Sequence, residues 1–294
     1  MSNKFFKKSI PFFFTSFSKP VEEQRAKAEK KARLFRLPKG MQCQPVDANG
    51  VPGEWFTPDG AEDGVILYLH GGAYALGSVN AHREFLARLT KAVGVRIIAI
   101  DYRLAPEHPH PAAVEDAVAA YRWLLRQGIV SSQIVIAGDS AGGGLTLAAL
   151  LALRDDGQPL PAGAVCISPW TDLALTGDSM QEKVDAELVL DYDSLTKFAG
   201  WYAAGQPLTD PLISPLYADL TGLPPLLIQV GTDEILLDDA KRFAQKAEDA
   251  GVEVDLTVWE GMFHVFHMFP FFSETAEAVV QIAGFVKTNL KSTG

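Results

Sequence analysis

Short apolar runs that alternate with longer helical stretches constrain the fold of this 294-residue chain more than any other feature. The predicted helices lie near residues 82–93, 112–127, 141–154, 238–250 and 274–290. Strands that are apolar along most of their length and separated by helices form parallel sheets covered on both faces. The apolar runs are Val65–Leu69, Arg96–Ile100, Ile134–Ala137, Ala164–Ile167, Leu226–Val230 and Val254–Trp259.

Two further elements are predicted before the first of these runs. Gln42–Val46 and Gly53–Thr57 flank an Asn49-Gly50 pair, which is typical of the turn of an antiparallel hairpin. Val21–Leu37 carries dense mixed charge without Gly or Pro, which predicts an amphipathic helix. The prediction is therefore a mostly parallel α/β sheet of about eight strands with helices on both faces.

The interval from Pro169 to Pro225 interrupts the alternation, because it contains no clear strand. Long insertions of this kind are usually functional, and open α/β sheets place their sites at the strand ends. The predicted organisation is an N-terminal part of a cap (1–45), a core (46–168), a cap insertion (169–224) and a second core segment (225–294).

Charge and cysteine usage limit the partners. The net charge of −10 disfavours binding to nucleic acid. Cys43 and Cys166 are far apart, and Cys166 lies in a predicted buried strand, which favours free thiols and a reducing compartment. The Lys- and Phe-rich start is similar to a signal peptide, but Pro11 interrupts its apolar part and no small-residue cleavage site follows, so a cytoplasmic location is predicted. No segment approaches the roughly 20 apolar residues that span a bilayer, so stable membrane insertion is not expected.

The motif Gly138-Asp139-Ser140-Ala141-Gly142 fits the G-x-S-x-G pattern, directly after a predicted strand and before an Ala/Leu-rich helix. A serine on such a tight turn projects into a pocket, and the N-terminus of the following helix offers free N–H groups. A purely structural glycine-rich turn is the alternative. The sequence context favours Ser140 as a nucleophile.

A second glycine-rich loop, His70-Gly71-Gly72-Ala73-Tyr74, follows the Val65–Leu69 run at once. Acyl transfer needs N–H donors aimed at a developing oxyanion, and small residues let a backbone approach that closely. Gly71, Gly72 and Ala73 are predicted to form this oxyanion hole together with the N–H of Ala141. His70 is interpreted as a structural hydrogen-bonding residue. Tyr74 and Asp139 are predicted to contact substrate.

These two motifs and the intervening Asp101-Tyr102-Arg103-Leu104-Ala105-Pro106-Glu107 occur in one order, which resembles bacterial hormone-sensitive-lipase-like esterases. The resemblance runs from about Gly64 to the C-terminus. It implies an α/β-hydrolase fold with a helical cap, cleavage of short-chain carboxylic esters and no cofactor or metal. Position 73 departs from the resemblance, because Ala stands where the family commonly has Gly.

The α/β-hydrolase fold orders its triad as Ser, acid, His along the chain. Glu234 and Asp233 both follow the Leu226–Val230 run, and the family pattern of a Leu two residues and an Asp four residues after the acid favours Glu234. His264 follows the last predicted strand more closely than its rival His267 and is the predicted base.

Six Phe residues between Phe5 and Phe17 are interleaved with lysines. The resemblance implies that this segment caps the pocket and lines its acyl side, and adhesion to a lipid surface is the alternative.

The predicted function is a carboxylesterase that hydrolyses short- to medium-chain acyl esters through a serine acyl-enzyme. Its expected partner is a small ester, and the sequence also allows a homodimer. An amidase or deacetylase acting on a larger substrate, and a non-catalytic binder of small molecules on the same fold, are the alternatives.

Overall fold

The described part of the computed structural model comprises residues 19–32 and 39–290. Residues 1–18, to which pocket-capping or lipid contact was assigned, lie outside it. The first helix, α1, spans Val21–Ala32, and residues 33–38 of the predicted longer helix also lie outside the described part.

One sheet of eight strands forms the centre of the described part, in the order β1-β2-β4-β3-β5-β6-β7-β8. Only β1 and β2 run antiparallel to their neighbours, so the predicted hairpin and the mostly parallel sheet are both confirmed. The strands are β1 Met41–Asp47, β2 Pro52–Pro58, β3 Glu62–Leu69, β4 Val95–Ile100, β5 Ile134–Asp139, β6 Gly163–Ile167, β7 Leu226–Gly231 and β8 Val254–Trp259.

The boundary predicted between residues 45 and 46 falls inside β1, because the hairpin that contains this strand begins at Met41. The sheet therefore extends into the segment that was assigned to the cap.

Helices cover both faces of the sheet, as predicted. After α1 come α2 Val79–Val93, α3 Ala112–Arg126, α4 Ala141–Asp155, α5 Ser179–Glu182, α6 Tyr192–Ala203, α7 Leu237–Asp249 and α8 Ser273–Asn289. Successive side chains of β3 point to opposite faces: Leu67 joins the core beneath α3, α4 and α7, whereas Ile66 joins the core beneath α2 and α8. Both residues are fully buried, because each face has its own layer of helices.

The insertion at 169–224 contains α5, α6 and a 3₁₀ turn at Pro215–Tyr217, but no strand. It contacts loops at the carboxyl ends of the strands. Tyr202 of α6 stacks on Tyr74 beyond β3, and Leu188 and Val189 pack against the apolar cluster that follows β8. The N-terminal helix reaches the same edge, where Arg25 donates to the carbonyl oxygen of Ala75 at 2.9 Å.

Candidate active site

Ser140 lies between the end of β5 and the start of α4, in a strained conformation with φ 54° and ψ −123°. Hydrogen bonds fix this turn, since the Ser140 N–H donates to the Ile167 carbonyl and the Trp170 N–H donates to the Ser140 carbonyl. A Cβ atom at Gly142 would lie 2.0 Å from the Leu69 carbonyl oxygen, so this position requires glycine. The tight packing holds the Ser140 hydroxyl at the carboxyl edge of the sheet.

Three predicted residues from distant segments meet at this turn. The Nε2 atom of His264 lies 2.9 Å from Ser140 Oγ, and its Nδ1 atom lies 2.9 Å from Glu234 Oε2. The other Glu234 oxygen accepts hydrogen bonds from the Gly231 N–H at 2.6 Å and the Ser168 hydroxyl at 2.8 Å. Glu234 is fully buried, so these bonds compensate the loss of water around its carboxylate.

The two rival residues occupy other positions. Asp233 is half-buried, and its carboxylate accepts a hydrogen bond from the Thr232 hydroxyl at 3.3 Å. His267 is buried, and its Nε2 atom lies 2.9 Å from Gln229 Oε1. Burial lowers the pKa of His267 to about 3, which keeps this ring neutral. Of the four candidate acid and base residues, the structure brings Glu234 and His264 to Ser140.

The electrostatic environment of His264 favours its charged form. Burial by itself lowers the pKa of this imidazole, but the hydrogen bond and negative charge of Glu234 outweigh burial, and the net shift is upward. When the ring is neutral, a proton on Nδ1 donated to Glu234 leaves the Nε2 lone pair facing the Ser140 hydroxyl. The arrangement can therefore accept the serine proton and stabilise the resulting imidazolium.

The loop after β3 presents its backbone to the same side. Gly72 has φ 126°, and a Cβ atom there would lie 2.3 Å from the Leu76 carbonyl oxygen. Ala73 has φ 53°, a left-handed conformation that alanine adopts at some cost. Within residues 19–32 and 39–290, the N–H groups of Gly72, Ala73 and Ala141 have no hydrogen-bond acceptor, which leaves them available to an oxyanion.

The prediction that the Gly71 N–H forms part of the oxyanion hole is wrong. Its N–H donates to Asp139 Oδ1 at 3.0 Å, so it is already engaged and cannot also serve an oxyanion. A Cβ atom at Gly71 would lie 2.2 Å from Asp139 Oδ2. Gly71 is therefore a close-packing position that carries the loop past Asp139.

The interpretation of Asp139 as a substrate contact is also corrected. Its buried carboxylate accepts hydrogen bonds from the Tyr68 hydroxyl at 2.7 Å and from the Gly71 N–H, and it lies 3.3 Å from His82 Nε2. Burial opposes ionisation, but His82 and Tyr68 hold the pKa of Asp139 at about 2. Asp139 therefore anchors the oxyanion loop through its hydrogen bond to the Gly71 N–H.

Two aromatic stacks support the loop. His70 stacks on Tyr102 with ring centroids 4.4 Å apart, and burial lowers the pKa of His70 to about 4, which fits the structural role predicted for it. Tyr74 stacks on Tyr202 of the cap at 3.8 Å and is almost fully buried. Its hydroxyl has no hydrogen-bond partner in the described part of the chain. Contact between Tyr74 and substrate stays a prediction.

Some supporting residues were not predicted from the sequence. Ser168 donates to Glu234 and Tyr68 donates to Asp139. The only available signal for Ser168 was its position directly after β6, at the edge where β5 also ends. Among the described residues, no group of three or more His, Cys, Asp or Glu side chains is arranged to hold a metal ion.

Comparison with known proteins identifies the family. A family model described as the alpha/beta hydrolase fold matches residues 66–268. The chain is similar to an acetyl-hydrolase from Streptomyces hygroscopicus, with 50% identity over 236 residues that cover 80% of this chain and 79% of that protein. It is also similar to an esterase from Acinetobacter venetianus, with 41% identity over 256 residues, covering 86% and 84% of the two chains.

A solved esterase of the bacterial hormone-sensitive lipase family superposes on this chain with a TM-score of 0.95. That structure is 43% identical and covers 99% of this chain and 100% of its own. The chain belongs to the α/β-hydrolase family, and the resemblance to bacterial hormone-sensitive-lipase-like esterases is confirmed. None of the described helices has the length and apolar character needed to cross a membrane.

Proposed function

We propose that this protein is a carboxylesterase that hydrolyses short- to medium-chain acyl esters through a serine acyl-enzyme. The observation that carries the proposal is the chain of contacts from Ser140 through His264 to Glu234, with 2.9 Å at each step. Nucleophile, base and orienting acid in this relation form the arrangement that makes a serine hydroxyl reactive toward carbonyl carbon.

In the first half-reaction, Ser140 Oγ attacks the ester carbonyl carbon while His264 Nε2 takes the hydroxyl proton. Negative charge develops on the carbonyl oxygen, and the N–H groups of Gly72, Ala73 and Ala141 stabilise it. One such donor contributes roughly 3 kcal/mol to the transition state. His264 then returns the proton to the leaving alcohol, and the acyl group remains on Ser140.

In the second half-reaction, water attacks the acyl-enzyme with His264 as its base. As the second tetrahedral intermediate collapses, His264 returns this proton to Ser140 Oγ, which releases the carboxylic acid and regenerates the Ser140 hydroxyl. Glu234 stabilises the imidazolium in both halves. The same oxyanion donors serve both steps, because the carbonyl oxygen stays in one position throughout.

The relatives support a small acyl group as substrate, since one is named an acetyl-hydrolase and others are named esterases. The same acetyl-hydrolase leaves a deacetylase acting on a larger acetylated molecule as a second candidate. Turnover of a nitrophenyl acetate and its matching acetanilide separates ester from amide cleavage.

The test of the proposal is a series of nitrophenyl esters from acetate to octanoate, assayed on the wild type and three variants. Ser140→Ala should lower kcat by roughly 10⁴-fold or more, and Glu234→Gln by about 10³-fold or more. Asp233→Asn is the matched control and should stay within about threefold of the wild type, because it changes an adjacent carboxylate outside the contact chain. An inactive Asp233→Asn beside an active Glu234→Gln would reverse the assignment of the acid.

A cytoplasmic location and a homodimer remain proposals. Cys43 and Cys166 are both free thiols, which fits a reducing compartment. Light scattering of the purified full chain measures the assembly, and fractionation of the producing cells measures the location.

A further inference from the structure

The cap insertion binds both backbone polar groups of Ile235, the residue that follows Glu234. The Ile235 N–H donates to Glu187 Oε2 at 3.0 Å, and the Ile235 carbonyl accepts from the Ser179 hydroxyl at 2.7 Å. Ser179 is buried at the start of α5, and Glu187 lies between α5 and α6. Both cap residues therefore act on the backbone adjacent to the triad acid.

Glu187 uses its second oxygen to organise its own segment. Its Oε1 atom accepts hydrogen bonds from the N–H groups of Leu188 at 2.9 Å, Val189 at 2.8 Å and Leu190 at 3.2 Å. The Leu188 and Val189 side chains pack against an apolar cluster that includes Phe263, the residue before His264. One carboxylate thus joins the cap to the loop of the acid and, through its neighbours, to the loop of the base.

We propose that Glu187 is a positioning residue of the triad, which fixes the N–H of the peptide group that joins Glu234 to Ile235 and places a second carboxylate near the Glu234–His264 pair. The proposal rests on the proposed function, since it assigns Glu187 a role only if His264 is the base. Glu187 does not touch the reacting atoms. It acts through the two groups that do.

The charges that act on this region give the proposal an electrostatic readout. Burial lowers the pKa of His264, whereas Glu234, Glu187 and Asp139 are the negative groups that raise it. His267, whose own pKa burial lowers to about 3, carries no charge near neutral pH. Burial and the charge of Glu234 raise the pKa of Glu187, while His264 and the N–H groups of Ile235 and Val189 oppose that rise. Removing the Glu187 charge should therefore lower the pKa of His264.

The experiment measures kcat and kcat/KM against pH for nitrophenyl acetate with the full-length wild type, Glu187→Gln and Glu187→Asp. The acid limb reports the pKa of the free enzyme's base. Glu187→Gln should move this limb to lower pH by about 0.5 units or more and lower the plateau kcat by roughly tenfold. Glu187→Asp retains a carboxylate, so its limb should lie closer to that of the wild type than the limb of Glu187→Gln does.

Ser179→Ala is the matched control, because it removes the hold on the Ile235 carbonyl without changing charge. Its kcat should fall while its acid limb stays in place. An unmoved limb with unchanged kcat in Glu187→Gln would overturn the proposal, and so would an equal limb shift in Ser179→Ala. Loss of activity in Ser140→Ala is scored separately and tests the proposed function alone.

Discussion

Replacing Asp139 by Asn should weaken the oxyanion loop without removing any of its contacts. The Tyr68 hydroxyl and the Gly71 N–H both donate to Oδ1, and an amide oxygen there accepts both bonds. The amide nitrogen then replaces Oδ2 opposite His82 Nε2. Because His82 Nδ1 lies 3.0 Å from the Ser78 carbonyl, a neutral His82 can keep its proton there and accept from the amide at Nε2.

Only charge assistance is lost in this variant. Hydrogen bonds to a charged partner contribute about 1.5–3 kcal/mol and neutral ones about 0.5–1.5 kcal/mol, so each bond to Oδ1 loses about 1 kcal/mol and the two together about 2 kcal/mol. Asp139→Ala leaves the buried Tyr68 hydroxyl and Gly71 N–H unpaired and should cost about 4 kcal/mol. The difference between the two variants measures the hydrogen bonds separately from the charge.

Urea unfolding and steady-state hydrolysis of nitrophenyl butyrate check this prediction. Asp139→Asn should lower the free energy of unfolding by about 2 kcal/mol and kcat by roughly tenfold, with KM within about twofold. A residue that contacts substrate would instead raise KM by an amount that varies with the acyl chain. A stable Asp139→Asn enzyme with such a KM change would refute the anchoring role.

Two further predictions concern the base and the oxyanion loop. The Glu234 hydrogen bond and charge outweigh burial and raise the pKa of His264, and this base must be neutral to accept a proton. A pH–rate profile of kcat/KM should therefore rise with pH, with a midpoint above the ordinary histidine value of about 6.5. A midpoint below that value contradicts the assignment. The left-handed conformation of Ala73 costs the folded state about 1–2 kcal/mol, and Ala73→Gly removes this cost. Glycine also gives the unfolded chain more conformational entropy, which lowers the stability by about 0.5–1 kcal/mol. Thermal unfolding should show a gain of about 0.5 kcal/mol, and kcat should stay within about threefold because the N–H remains.

Local patterns predicted the sheet, and together with the family resemblance they selected the three residues of the proposed triad. Fully apolar runs that alternate with helical stretches indicate a parallel sheet covered on both faces. The proposed nucleophile and base each follow closely on the end of one of these runs. Both carboxylates follow β7 closely enough to be the acid. The choice of Glu234 over Asp233 therefore depended on the family's spacing to Leu236 and Asp238. In the structure Glu234 is fully buried and Asp233 only half-buried, a difference that two adjacent acidic residues in a sequence do not indicate.

The anchoring of Gly71 by Asp139 could not be predicted in this way. The two residues meet because β3 pairs with β5 in a register that places Leu69 opposite Gly138, and the side chain of His82 arrives from α2. No local pattern encodes that register. The motif around Ser140 therefore identified Asp139 as part of the site but not what its carboxylate binds.

The same limit applies to Glu187, which directly precedes the apolar residues Leu188-Val189-Leu190 and belongs to no recognised motif. Its importance follows from contacts that only the folded chain supplies, to Ile235 beside the proposed acid and, through Leu188 and Val189, to the apolar cluster beside the proposed base. The cap holds the acid loop through Ile235, packs on the base loop through Leu188 and stacks Tyr202 on the oxyanion loop at Tyr74.

A cap joined to the catalytic groups in this way cannot act only as a cover over the pocket. Substitutions in it that alter which acyl group fits will also shift the backbone that orients the acid, because both depend on the same packed segment. Changes confined to substrate affinity would appear in KM, whereas displacement of the acid or the oxyanion donors lowers kcat. Cap variants selected for a new substrate range are therefore expected to change kcat and KM together, and variants that change KM alone should map to cap positions far from Glu187 and Tyr202.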